Sequence, residues 1–185
     1  MDIFEYLMVM VSIILGLGAT QALRGLSKIA QSSRTFLPLT IWAVILFYLH
    51  IQVWWALWDL TAVAAWNQFL FYLLIAIPCS LFGATELLLP FGSSPDTDWR
   101  EHFFSVQKWF FVVLCVFTVL ALLETYIFLN VSLTHPYRII QVMVLAAAVI
   151  AIFVKNPKTH VWLSVTVGGG LLVGQVLFRL FPGLS

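Results

Sequence analysis

Five side chains with hydrogen-bonding or titratable chemistry fall within or at the edges of long apolar runs: His50, Gln52, Asp59, Glu86 and Glu124. A polar group left unpaired in hydrocarbon costs several kcal/mol, so each of these needs a partner, a cavity or a helix end within reach of water. His50 stands near the middle of residues 39–58, LTIWAVILFYLHIQVWWALW, a run that would extend ~30 Å as a helix and so cross a bilayer. Glu86 lies toward one end of its run, and Asp59 and Glu124 lie toward the other. Ordered by depth, the four ionisable groups form a ladder of acid, central imidazole and outer acids, a sequence that a proton or small cation could follow. Gln52, Gln141 and Gln175 would supply hydrogen bonds along it. A plainer account competes: a neutral imidazole bonded to a backbone carbonyl, and acids close enough to helix ends to reach water.

At ~100° per residue, Phe47, His50, Trp54 and Trp58 fall on one flank of the 39–58 helix, and Tyr48, Gln52, Trp55 and Asp59 on the other. Both flanks carry polar groups, so protein is expected on both sides of this helix. The tryptophans are equally accounted for as an interfacial aromatic belt, but His50 and Gln52 are not.

These residues make poor enzymes. A hydrolase nucleophile wants a GxSxG elbow, and a zinc site wants HExxH; neither occurs. Haem between helices wants two buried axial ligands, yet His102, His135 and His160 fall at expected loops. Cys79 and Cys115 lie within expected spans and do not form a CxxC, so they read as packing residues. No catalytic role and no cofactor is expected.

Composition sets the elements that must hold these groups. With 62% hydrophobic and only 9% charged residues and a mean hydropathy of +1.03, the chain lies far from soluble domains, in which charged residues approach a quarter. The expected architecture is all-α: one membrane domain over 1–185, with six spans at about 3–23, 39–58, 66–89, 103–123, 137–154 and 161–181. The N-terminus has acids where a signal peptide is basic, so the first run is expected to stay as a span. After it, RGLSKIAQSSR reads as a short interfacial helix or a continuation into the headgroups. Pro78 interrupts the third span and frees the carbonyl of Leu74; a static packing kink is the expected form.

Seven of the nine Lys and Arg residues, Arg24, Lys28, Arg34, Arg100, Lys108, Lys155 and Lys158, fall on one side of such a bundle. Arg138 and Arg179 fall on the other. The positive-inside rule then places both termini outside, periplasmic if the membrane is a bacterial inner membrane. The sequon Asn130-Val131-Ser132 would lie in an outer loop. Two small-xxx-small steps, Ser12 with Gly16 and Gly170 with Gly174, are expected to bring helices close together. Gly18-Ala19-Thr20-Gln21 echoes Gly83-Ala84-Thr85-Glu86, which would set Gln21 and Glu86 at one depth, able to pair.

A net charge of +1 without a basic stripe argues against nucleic acid; the expected surroundings are membrane lipids. The leading expectation is a homo-oligomeric channel or carrier for protons or a small cation, with His50, Gln52, Asp59, Glu86 and Glu124 along the path. The alternatives are a non-catalytic subunit, anchor or sensor of a larger membrane complex, and a lipid-handling protein with a groove beside Trp54 or Trp58.

Overall fold

In a computed structural model, which describes residues 3–62, 66–94, 96–128, 130, 132, 135 and 137–176, the chain is all-α. Six helices follow in order: α1 (Ile3–Gln31), α2 (Leu37–Ala56), α3 (Gln68–Leu88), α4 (Trp99–Ile127), α5 (Tyr137–Phe153) and α6 (Pro157–Gln175), with a 3-10 helix (Leu57–Ala62) after α2. Four are long and apolar enough to cross a membrane, at Glu5–Gln31, Leu37–Ala56, Gln68–Leu88 and Trp99–Ile127. The α5 helix, with 17 residues, is shorter, and residues 177–181 of the sixth expected span lie outside the described residues.

Local chemistry sets the starts. Asn67 accepts from the Leu70 amide at 2.9 Å, Asp98 from the Arg100 and Glu101 amides at 3.1 and 3.0 Å, and Asn156 from the Lys158 amide at 2.9 Å. Each is an N-cap that satisfies amides left without a carbonyl in the first turn. Pro157 follows its cap directly, and Pro38 stands in the first turn of α2, where no amide hydrogen is needed. The basic segment after the first run is helical and continues α1 to Gln31.

The helices close into a ring in which α1 touches α2 and α3, α4 lies between α3 and α5, and α6 joins α5 back to α2. The α2 helix leans inward and also meets α3 and α4. One end of the ring is basic and solid. There Trp42 packs edge-on against Phe110 and Phe111 at ring separations of 5.7 and 5.3 Å, and Phe111 stacks on His160 at 5.7 Å. Trp42, Trp99, Phe103, Phe110 and Phe111 are all fully buried. Side chains from neighbouring helices also cap the exposed carbonyls at this end. Gln21 of α1 donates to Leu89 O beyond α3, and His102 of α4 donates to Leu88 O at 3.1 Å. Gln107 of α4 donates to Ala151 O and Val154 O at the end of α5, at 2.6 and 2.8 Å.

The close approaches differ in part from those expected. Gly170 and Gly174 do face α5: a Cβ at either would overlap Met143 or Ile140. Ser12 and Gly16 do not make the expected contact within the chain, because a Cβ at Gly16 would meet nothing within 4 Å and Gly16 points away from the bundle. The tight positions on α1 are Gly18, whose missing side chain leaves room for His50, and Gly25, where a Cβ would lie 2.8 Å from Leu89. Gly18 follows from α2: an imidazole can occupy the α1–α2 contact only where the facing residue has no side chain.

This contrast yields a test. Gly18→Ala should destabilise the protein by about 1–3 kcal/mol, most of it recovered in a His50→Ala background, whereas Gly16→Ala should stay within about 1 kcal/mol of the parent. Thermal unfolding of the four variants in detergent reads both effects.

Candidate functional site

At the end of the ring opposite the aromatic core, five helices leave a cavity of about 150 Å³. Its lining comes from the C-terminal halves of α2, α4 and α6 and the N-terminal halves of α3 and α5, so all five contributions lie at one depth. The walls are largely apolar, with Leu49, Val53, Ile77, Phe117, Val144 and Leu171 among them. The polar groups are Tyr48 and Gln52 from α2, Thr118, Glu124 and Thr125 from α4, Gln141 from α5 and Gln175 from α6. An apolar cavity of this size stays dry and holds a body as large as a benzene ring; one with several hydrogen-bonding groups also has partners for water or a polar ligand.

The helices place these groups by simple spacing. Thr118 and Thr125 are seven residues apart, two turns along one face of α4, and Glu124 adjoins that face. The two hydroxyls donate to carbonyls within their own helix, Thr118 to Leu114 O at 2.8 Å and Thr125 to Ala121 O at 3.0 Å. Their oxygen lone pairs remain available to accept. Glu124 is only 7% exposed. Leu74 and Ile77 bring the wall formed by α3, just before Pro78. Proline has no amide to offer the Leu74 carbonyl, so the helix lacks one backbone bond beside the cavity.

The strongest electrostatic feature is Arg138, which the sequence places among outer charges. It lies in the first turn of α5, is 4% exposed, and binds cavity residues directly. One terminal nitrogen donates to Gln141 Oε1 at 2.9 Å, to Leu122 O at 3.2 Å and to Thr125 Oγ1. A guanidinium suits this position because it offers several donors in a rigid fork. One signal for it was present in the sequence: Arg138 and Gln141 are three residues apart and therefore share a helix face.

The expected ladder is not assembled on one path. Gln52 and Glu124 share the cavity, but His50 and Glu86 are not on it. His50 is 2% exposed, on the α1 side of α2. Its Nδ1 lies 2.8 Å from Leu46 O; a carbonyl only accepts, so Nδ1 carries the proton. Its Nε2 is then a lone pair without a hydrogen-bond partner, pressed against Gly18. Residues 50 and 52 are ~200° apart around the helix, so one turns to α1 and the other to the cavity. Glu86 is at the basic end, where its Oε1 accepts from the Phe91 amide at 3.0 Å. Gln21 is close to it, but its amide nitrogen binds Leu89 O rather than Glu86. The Asp59 side chain lies outside the described residues. Trp54, Trp55 and Trp58 face outward, Trp58 with 77% exposure; these three tryptophans therefore belong to the outer surface, and Tyr48 and Gln52 turn in to the cavity. Cys79 and Cys115 are unpaired. Among the described residues no three of His, Cys, Asp and Glu come together as a metal site.

Arg138→Met should lower stability by about 2–4 kcal/mol, because Gln141, Thr125 and the Leu122 carbonyl lose a charged donor in a buried place. Arg138→Lys should recover only part of that, since an ammonium keeps the charge but sits on a differently shaped stem and loses the Nε bond to Ser132 O. Denaturant unfolding of both variants in detergent checks the order. Compared with protein-family models, curated proteins and solved structures, the chain matches none.

Proposed function

We propose that this protein is a small multi-pass membrane carrier that takes a proton, or a small solute moving with one, into the Glu124 cavity. The observation that carries this reading is the convergence of five helices on one buried acid among six uncharged polar side chains, two of which, Thr125 and Gln141, are held by Arg138. Ionisable groups held at such depth mark pathways more often than packing alone requires.

Two features narrow the mode. A fixed guanidinium at Thr125 and Gln141 supplies one positive charge to the cavity wall and opposes any further cation; a proton differs from a metal ion in needing no coordination shell, since it bonds to a single carboxylate oxygen of Glu124. The core of Trp42, Phe103, Phe110 and Phe111 fills the ring at the basic end, so the cavity is blind and transport requires helices to shift. That favours a carrier over an open channel. One chain builds the whole cavity, and assembly into a homo-oligomer would multiply the site rather than complete it.

In this reading all six helices cross the membrane. At ~1.5 Å per residue α5 reaches about 26 Å, near the lower limit for a span. The basic end faces the cytoplasm of a bacterial inner membrane, and the cavity and both termini face outward.

Proton uptake into vesicles containing the purified protein, followed with a trapped pH dye, tests this. Glu124→Gln should reduce uptake on the order of tenfold, and Glu86→Gln, which removes an acid outside the cavity, should leave it near the parent rate. Parent-like uptake by a folded Glu124→Gln variant would overturn the proposal.

A further inference from the structure

A second recess lies at the basic end, on the outer surface between α1 and α3. It holds about 340 Å³ and is lined by Leu17, Gln21, Arg24, Phe82, Glu86 and Phe91, together with Thr20. Arg24 is some 30 Å along α1 from Ile3, which puts it at headgroup depth when α1 spans a bilayer, while Leu17 and Phe82 continue toward the acyl region. After α3 ends, the chain turns back so that Phe91 lies beneath two cations. The Arg24 guanidinium carbon is 5.5 Å from the ring centroid and Lys28 Nζ 5.9 Å. Lys28 also donates to Phe91 O at 2.7 Å and sits 3.4 Å from Ser93 Oγ. Among the described residues neither cation has an ion-pair partner, and the salt bridge joins Arg34 to Asp98, 3.9 Å apart.

We infer that this recess binds an anionic glycerophospholipid, its phosphate between Arg24 and Lys28 and one acyl chain against Leu17 and Phe82. Three observations converge on that ligand. Two unneutralised cations stand four residues apart on one helix face, where they can flank a single phosphate. The apolar wall continues from them along the direction of an acyl chain. Phe91 and the capped end of α3 hold the lysine in place without consuming its charge. Basic recesses between spans on the cytoplasmic side have the chemistry that retains anionic headgroups. Glu86 opposes the anion, and its carboxylate, held by the Phe91 amide, tunes the site toward moderate rather than tight binding. The inference rests on the chain crossing a membrane but not on transport by the Glu124 cavity.

The test measures retained lipid, a readout separate from proton flux. Full-length protein stripped of lipid in mild detergent is mixed with equal amounts of phosphatidylglycerol and phosphatidylcholine of identical chains, and bound lipid is counted by native mass spectrometry. The expected preference for phosphatidylglycerol is about tenfold, falling to near parity in Arg24→Gln/Lys28→Gln. Arg34→Gln/Lys155→Gln, which removes the same charge outside the recess, should keep it, and Glu86→Gln should raise it. Soluble glycerol phosphate at the same concentration should not displace the lipid. An unchanged preference in Arg24→Gln/Lys28→Gln, an equal loss in Arg34→Gln/Lys155→Gln, or displacement by glycerol phosphate overturns the inference. Should the first double variant fail to fold, Glu86→Gln decides alone: a rise supports the site and no rise refutes it.

Discussion

Hydrocarbon offers no hydrogen bonds, and that constraint organises this molecule. Polar groups carried into the bundle have to find partners inside the chain, and among the described residues buried exceptions such as His50 Nε2 are few. At the basic end the answer is systematic. The last carbonyls of α3 and α5 have no amide further along their own helices, and side chains from adjacent helices meet them: Gln21 and His102 at Leu89 and Leu88, Gln107 at Ala151 and Val154. These bonds join α1 to α3 and α4 to both of its neighbours, so satisfying the backbone and fixing helix positions are a single operation. The aromatic core then fills the space that the clamped helices enclose.

The α2 helix shows how the same constraint divides one element between two tasks. His50 is resolved locally, with Leu46 O for its proton and Gly18 for its remaining edge. Gln52, two residues on, faces the shared cavity. The imidazole thus specifies how α1 lies on α2, and the cavity is left to α2 through α6. A histidine in the middle of a span draws attention as chemistry, yet here its geometry is that of a wedge fitted to a glycine.

Much of the fold was legible in the sequence. Helical class and the six segments follow from apolar length, whereas the limits shift: the caps at Asp98 and Asn156 start α4 and α6 at residues 99 and 157 rather than at the expected 103 and 161. Gln52 and Glu124 could be named as candidate site residues for the same reason: burying them is costly. What could not be read was pairing. Helical periodicity gives the angle of a residue about its own axis but not which neighbour it meets, so His50 was aligned with acids it does not approach. Arg138 counts in the sequence only as an outer charge at the start of the fifth span, because hydropathy registers its charge and not the three acceptors that surround it. Glycine posed a related difficulty: Gly16 and Gly18 look equivalent in sequence, and only the position of the imidazole distinguishes them.

Among the described residues three of the interhelical carbonyl clamps, those of Gln21, His102 and Gln107, gather at the basic end, while at the cavity end Arg138 ties α5 to α4, and that asymmetry has a mechanical result. Helices tied together at their basic-end tips behave as levers with a common fulcrum, and the opposite tips move furthest for a given rotation. For a lever of about 30 Å, a tilt of roughly 4° displaces the far tip by about 2 Å, enough to admit or squeeze out a water-sized body. The missing backbone bond at Pro78 lies between fulcrum and tip, where compliance adds to that reach.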